Sequence, residues 1–273
     1  MATPAIPWEK YERLIETLTE MESVVVAFSG GVDSTLLLKA AHDVLGDRAI
    51  GVLATSPTLP ATECEAAQTL AKEIGAPLVI VEKHEMNNPD FVANQPDRCY
   101  LCKSAICDQL MAYAEAHGYN EVADGSNLDD LDDFRPGQRA ARECGMRSPL
   151  QEAGLTKDNI RALSRALNLP TWDKPSAACL VSRIPYGTPI TAKRLKQIED
   201  AEDALHAMGF GQLRVRHHGE VARIEIPAAD LSKAVDRREA ITAQLKECGY
   251  TYVTLDLSGF RSGSMNDMIS EDR

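Results

Sequence analysis

The sequence predicts an α/β protein, with a parallel-sheet domain over residues 1–186 followed by a small α+β domain over residues 187–273. Three observations predict it. Short β-branched runs alternate with helical patterns through the first third of the chain. One of those runs ends in Ser-Gly-Gly and opens directly into a helix. From Thr191 onward the alternation gives way to two short period-two runs flanked by helices. Strands separated by helices rather than by tight turns need right-handed crossovers, and those build a parallel sheet.

Taken in order, residues 8–21 read as an amphipathic helix with Trp8, Leu14, Ile15, Leu18 and Met21 near one face. A Val-rich strand follows at 24–28, then a helix over 34–46 stopped at Gly46. The next elements are a strand at 49–55, a helix over 62–74 capped by Gly75, and a strand at 77–82. The Cys99-Tyr100-Leu101-Cys102 stretch opens a helix that runs to about His117, and a fourth strand begins at Glu121. A helix is expected at about 156–167, then a proline-rich loop over 169–187. The second domain reads as a helix over 191–208, a hairpin of 212–217 and 221–227, a helix over 228–247 and a strand at 251–257.

The stretch that organises the chain is Val24-Val25-Val26-Ala27-Phe28-Ser29-Gly30-Gly31-Val32-Asp33-Ser34-Thr35. Gly30 and Gly31 permit a tight turn and close backbone approach to an anion. Ser29, Ser34 and Thr35 supply hydroxyl groups, and the new helix supplies free N–H groups and the positive end of its dipole. The G-x-x-x-x-G-K-[ST] pattern is excluded because Val32-Asp33 stands where its lysine would be, and G-x-G-x-x-G is absent here as well. Ser-Gly-Gly-Val-Asp-Ser resembles the PP-loop of ATP pyrophosphatases, which cleave ATP between the α- and β-phosphates and adenylate their substrates. Ligands of parallel sheets sit at the carboxyl ends of the strands. Thr55 and Ser56 occupy such an end, as nucleotide contacts or as plain turn residues. Asp129, Asp130, Asp132 and Asp133 read mainly as a solvated loop, with Mg²⁺ coordination as the other reading, and Arg135 is placed nearer the phosphates.

A formal net charge of −12 over 273 residues argues against a broad nucleic-acid footprint. Residues 187–273 carry 12 Lys and Arg against 14 Asp and Glu, so they form no basic platform. No apolar run approaches membrane-spanning length, and the first residues lack a signal peptide's basic start and apolar core. A cytoplasmic protein is expected. In that compartment the seven cysteines read as thiols, ligands or catalysts rather than a disulfide frame.

Cys99 and Cys102 lie at a helix start, a position that favours thiolate. C-x-x-C alone suits a redox pair, half of a zinc site or part of an iron–sulfur site. The dithiol does not follow the first strand of a thioredoxin-like unit, and no second C-x-x-C completes a zinc site. With Cys179 as third donor, a [4Fe–4S] cluster would keep one iron open to a labile ligand such as hydrosulfide. Cys64, Cys107, Cys144 and Cys248 fall in predicted helices or their ends and read as packed or surface thiols.

Further stretches converge on one resemblance: Asp124-Gly125, Phe134-Arg135-Pro136-Gly137, Ser182-Arg183-Ile184-Pro185-Tyr186-Gly187, Leu213-Arg214-Val215-Arg216-His217-His218, Ala222-Arg223-Ile224-Glu225 and Val253-Thr254-Leu255-Asp256-Leu257-Ser258-Gly259-Phe260-Arg261-Ser262-Gly263. Over nearly its whole length the chain resembles the LarE family, ATP-dependent sulfur transferases of nickel-pincer cofactor biosynthesis for lactate racemase. The resemblance implies a PP-loop, Rossmann-like first domain of the adenine nucleotide alpha hydrolase kind. It implies adenylation of the carboxylates of pyridinium-3,5-biscarboxylic acid mononucleotide, release of pyrophosphate, and displacement of AMP by sulfur to leave thiocarboxylates. ATP with Mg²⁺ would engage Ala27, Ser29, Gly30, Gly31, Asp33, Ser34, Thr55, Asp124, Gly125 and Arg135, with Asp33 also counted as catalytic.

Arg214 and Arg216 resemble residues that bind a phosphate, and alternate positions on a strand let both guanidiniums converge. Ser182, Glu202 and Glu225 match positions near the transfer site; on pattern alone they read as a loop cap, a surface helix position and an exposed strand position. One group of the family donates sulfur from a single cysteine and lacks the C-x-x-C. Ungapped alignment on Arg183-Ile184-Pro185-Tyr186-Gly187 puts Ala178 at that position, with Cys179 one residue later. The chain is therefore similar to the cluster-dependent group, in which Cys99, Cys102 and Cys179 hold the [4Fe–4S] cluster and take part in catalysis. Sacrificial donation from Cys179 stays open. A homo-oligomer is expected from the resemblance, and the source of the sulfur is left open. A tRNA thiolase with the same cysteines and a non-catalytic nucleotide sensor are the competing readings, the first opposed by the acidic charge.

Overall fold

The computed structural model describes residues 6–131, 136–175 and 179–261. In chain order its elements are α1 (Trp8–Met21), β1 (Val24–Ala27), α2 (Val32–Leu45), β2 (Ala49–Thr55), α3 (Ala61–Ile74), β3 (Leu78–Glu82), α4 (Pro89–Val92), α5 (Arg98–His117), β4 (Glu121–Ala123), α6 (Pro136–Glu143), α7 (Pro149–Glu152), α8 (Lys157–Ala166), α9 (Ala192–Ala207), β5 (Arg214–His218), β6 (Val221–Glu225), α10 (Leu231–Asp236), α11 (Arg238–Glu247) and β7 (Tyr252–Leu255). They divide into two compact units. One takes the described residues up to Asn88 and from Pro96 to 175, and the other takes Pro89–Gln95 with the described residues after 178.

The first unit is a four-stranded parallel sheet in the order β3-β2-β1-β4 with helices on both faces. Strand periodicity sorts the side chains. Val24, Val26, Ala49 and Leu53 join a core with residues of α1, α2, α3 and α8, while Val25, Ile50, Val52 and Val122 join a second core with residues of α5 and α6. α2 is buried along much of its length, as a helix crossing the middle of a sheet should be. The expected parallel α/β architecture is therefore observed. α6 is an addition to the elements expected: Pro136-Gly137-Gln138-Arg139-Ala140-Ala141-Arg142-Glu143 shows only a short apolar face, with Ala140 and Ala141 buried.

The second unit has a three-stranded sheet, with β5 antiparallel to β6 and β6 parallel to β7. Its core gathers residues of α9, α10 and α11 with Val215, Ala222 and Ile224 of the sheet. The unit begins ahead of the expected boundary at 187 and takes in Pro89–Gln95 as well. The physical reason is Asn94, which is fully buried and holds φ 59°. Its Nδ2 donates to the carbonyls of Pro185 and Thr188 at 2.8 Å each, and its own carbonyl accepts from the Gly187 N–H at 3.0 Å. No local pattern announces a segment tied to residues some ninety positions later. The single helix predicted over 228–247 is instead broken between Asp236 and Arg238, after a 3₁₀ turn at Ala228–Asp230. Among the described residues no helix is long and apolar enough to cross a membrane.

Candidate active site

The nucleotide loop lies at the carboxyl end of β1, where Ala27 ends the strand in register with Val52. Gly30 has φ 69°, and a Cβ there would stand 2.9 Å from the Ala67 Cβ on α3, so only glycine fits. Gly31 caps α2 in extended conformation. The hydroxyls of Ser29 and Ser34 lie 3.1 Å apart. The Ser29 N–H donates to Ser34 Oγ at 3.2 Å, and the Gly31 N–H donates to Ser29 Oγ at 3.4 Å. Hydroxyls, backbone N–H groups and the start of a fourteen-residue helix thus converge on one small volume suited to an anion. Thr35 is fully buried and serves the helix interior rather than the loop's open face.

Asp33, in the first turn of α2, accepts from Lys157 Nζ at 2.5 Å and from Asn127 Nδ2 at 3.2 Å. Asp124, buried at the end of β4, accepts from Ser148 Oγ at 2.9 Å and lies 3.5 Å from Lys103 Nζ. Gly125 permits the β4 loop to press against α2, since a Cβ there would meet Ser34 N at 3.0 Å. In the acidic stretch Asp129 accepts from the Lys157 N–H and Asp130 from the Asn127 N–H, so both cap backbone groups. Arg135, Asp132 and Asp133 lie outside the described residues.

At the end of β2, Thr55 Oγ1 donates to the Val81 carbonyl at 3.4 Å. Ser56 Oγ donates to buried Glu85 at 2.5 Å, and Thr58 Oγ1 donates to the same carboxylate at 3.0 Å. Burial pushes the Glu85 carboxyl upward, but Lys83 and the two hydroxyls outweigh it and hold the group below the ordinary carboxylate range. A charged carboxylate therefore ties the turn, a role for Glu85 that its position in the sequence does not announce.

Cys99 lies in the first turn of α5 and Cys102 at the start of the second, the first exposed and the second half-buried, on one face of the helix by their three-residue spacing. Soft thiolates at a helix start are suitable iron–sulfur donors. Cys179 is exposed in the second unit. Among the described residues no group of three or more His, Cys, Asp and Glu side chains is arranged to hold a metal ion. Cys107 is set apart from such chemistry. It is fully buried, and burial together with a hydrogen bond to Cys144 pushes its thiol up to about 12.

The second unit builds a polar cluster on β5 and β6. Arg183 and Glu202 form a buried two-pronged pair, with Nε to Oε1 at 2.9 Å and Nη2 to Oε2 at 2.7 Å. Glu202 also accepts from the Val215 N–H at 2.8 Å. Arg216 donates to Glu225 at 2.7 Å and to the Ser182 carbonyl at 2.9 Å. Arg223 reaches the other Glu225 oxygen at 3.0 Å and lies 3.3 Å from Asp256. Glu202 and Glu225 are therefore buried anchors, against the surface helix and exposed strand positions that pattern alone suggests. Ser182 Oγ accepts from Arg183 Nη1 at 3.0 Å. Arg214 packs its guanidinium 5.3 Å from the Phe260 ring centre. Burial, then the charges of Arg183 and Arg216, push Arg214 down to about 10, against the pull of Glu202 and Glu225. An anion arriving there would relieve that repulsion.

A Ser-Gly-Gly loop between a parallel strand and a buried helix, with an aspartate in that helix's first turn, defines a PP-loop ATP-using protein. The comparisons agree with that class and narrow it. A family model described as NAD synthase matches residues 11–126. The chain is 40% identical to the pyridinium-3,5-bisthiocarboxylic acid mononucleotide synthase of Lactiplantibacillus plantarum, over 96% of this chain and 95% of that protein. It is 44% identical to an uncharacterized Synechocystis protein over 96% of this chain and 98% of the other, and 31% identical to an uncharacterized Methanocaldococcus jannaschii protein over 88% and 92%. The chain belongs to the pyridinium-3,5-bisthiocarboxylic acid mononucleotide synthase family.

Local sequence does not announce Lys157, Lys174, Glu63 and Glu85 in the first unit, or the anchoring roles of Arg183 and Arg223 in the second. Only the arginines carried a signal, as members of the motifs Ser182-Arg183 and Ala222-Arg223.

Proposed function

We propose that this chain is an ATP-dependent sulfur transferase that converts carboxylates of pyridinium-3,5-biscarboxylic acid mononucleotide to thiocarboxylates, in nickel-pincer cofactor biosynthesis. The observation that carries the reading is the pairing of two anion-seeking devices in one chain of this family: the Ser29–Ser34 loop and the half-buried Arg214, beside Arg183 and Arg216. A carboxylate resists direct attack by sulfur, whereas an acyl adenylate does not. The loop donors hold the triphosphate as its Mg²⁺ complex while a substrate carboxylate oxygen bonds to the α-phosphorus and the bond to pyrophosphate breaks. A sulfur nucleophile then bonds to the acyl carbon, and AMP departs with the oxygen. Arg214 and Arg216 are assigned to the substrate phosphate. Glu225 holds the Arg216 side chain in place and Glu202 holds that of Arg183, with Ser182 in the same network.

Cys99, Cys102 and Cys179 would hold the [4Fe–4S] cluster, which when bound supplies a labile iron position for the sulfide. The reading includes a cytoplasmic location, read from the sequence pattern, and a homo-oligomer and lactate racemase as the enzyme served, which rest on the family resemblance.

The test is incubation of the mononucleotide dicarboxylate with MgATP and sulfide. Expected are acceptor-dependent pyrophosphate release and product mass rising by sulfur-for-oxygen exchange. Pyrophosphate release with no sulfur in any product would refute the transfer. For the cluster, anaerobically purified protein is expected to carry about four iron and four acid-labile sulfide per chain, lost in Cys99→Ala. If iron is absent after anaerobic reconstitution, the cluster assignment falls. Conversion of Cys179 to dehydroalanine during turnover would then establish the sacrificial route.

A further inference from the structure

The nucleotide loop lacks the in-line lysine of other phosphate loops, yet a lysine reaches it from far along the chain. Lys174 Nζ donates to the Gly30 carbonyl at 3.2 Å and to Glu63 Oε2 of α3 at 2.7 Å. Its backbone is set before any ligand arrives. The Lys174 N–H donates to the Thr171 carbonyl at 3.0 Å, and the Lys174 and Trp172 carbonyls accept from Arg161 of α8 at 3.3 and 3.2 Å.

The Gly30–Gly31 peptide is trans, so its C=O and N–H point in opposite directions across one plane. The C=O is held by the Lys174 ammonium, while the N–H is turned to the other side, toward the Ser29 hydroxyl. A peptide between two glycines has wide conformational freedom and turns over at little steric cost. A turned peptide would put an oxygen, rather than a hydrogen, toward the anion. Something must therefore bias this plane, and the ammonium on the Gly30 oxygen does so.

We propose that Lys174 is a positioning residue for the nucleotide loop, fixing the Gly30 carbonyl so that the Gly31 N–H stays aimed at the phosphate. This rests on ATP binding at the loop, as proposed above. Glu63 has the lesser part of steadying the ammonium.

The experiment compares wild type with Lys174→Met, Lys174→Arg and Glu63→Gln in the full chain. It measures affinity for MgATP and for inorganic pyrophosphate, the thermal midpoint, and the Gly31 amide signal in protein with isotopically labelled glycines. Lys174→Met should weaken both ligands about tenfold with an unchanged thermal midpoint, as for loss of one hydrogen bond to a charged group. Glu63→Gln should stay within about twofold of wild type, because the bond to Gly30 survives, and Lys174→Arg should recover most of the affinity. The Gly31 amide proton should move downfield on pyrophosphate addition in wild type and Glu63→Gln, and not in Lys174→Met. Equal losses in Lys174→Met and Glu63→Gln would reduce the lysine to an ion-pair staple and overturn the proposal, as would unaltered binding by Lys174→Met. A wild-type chain that binds neither ligand overturns the nucleotide reading along with it, and is recognised without any variant.

Discussion

Replacing Asp33 with alanine is expected to lower the rate of pyrophosphate release from ATP by at least ~10²-fold, the scale of losing a preorganised electrostatic group at a reacting phosphate. Asp33 holds two groups at the rim of the loop, Lys157 through Oδ2 and Asn127 through Oδ1. The Lys157 backbone is already fixed, because its N–H donates to Asp129 and its helix begins with the Thr156–Asn159 capping box. Deleting the carboxylate therefore frees the Asn127 amide and the Lys157 ammonium while the Lys157 backbone stays fixed, and the ammonium is then able to sit on a phosphate oxygen in an unproductive place. ATP affinity should fall less than turnover, since the hydroxyls and N–H groups of the loop remain. Stopped assays of pyrophosphate, with the thermal midpoint as control, decide the matter. A rate within about threefold of wild type would show that the chemistry does not run on this loop.

The second large effect is on stability. Glu202→Ala should cost about 3–5 kcal/mol, because it strands the Arg183 guanidinium in a place where that side chain is 4% exposed and removes the acceptor of the Val215 N–H. The urea midpoint should fall accordingly with little change in slope. A double variant, Arg183→Met with Glu202→Leu, should regain most of the loss, since no uncompensated charge is then buried. If the double variant is as unstable as the single one, the network matters as a hydrogen-bonded whole rather than as a charge pair. Glu202→Ala at wild-type stability would contradict the burial on which the cluster rests.

The two predictions concern residues that differ in how visible they are from sequence. Asp33 follows Ser-Gly-Gly by two positions, and local spacing is enough to single it out. Glu202 looks like one more acid on a helix that also carries Glu199, Asp200 and Asp203. What removes it from the surface is Arg183, nineteen positions earlier and on a different element. Glu225 is the same case, claimed by Arg216 from the neighbouring strand and by Arg223 from its own. The break at Asp236–Arg238 was equally hidden, because the charged stretch Asp236-Arg237-Arg238-Glu239 contains no proline or glycine to announce an end.

By itself the amino-acid sequence determined the strand–loop–helix around Ser29-Gly30-Gly31, the parallel character of the first sheet, the helix that begins at the cysteine pair, and the two alternating arginines of β5. Each of these depends on residues close together in the chain, through side-chain periodicity and the conformational freedom of glycine. Tertiary structure alone decided which charges meet. Lys157 reaches Asp33 across 124 positions, Lys174 reaches Glu63 across 111, and Asn94 fastens the turn at 185–188 from about ninety positions away. Long cationic side chains and buried amides find partners through space, and the chain's local pattern carries no record of where those partners lie.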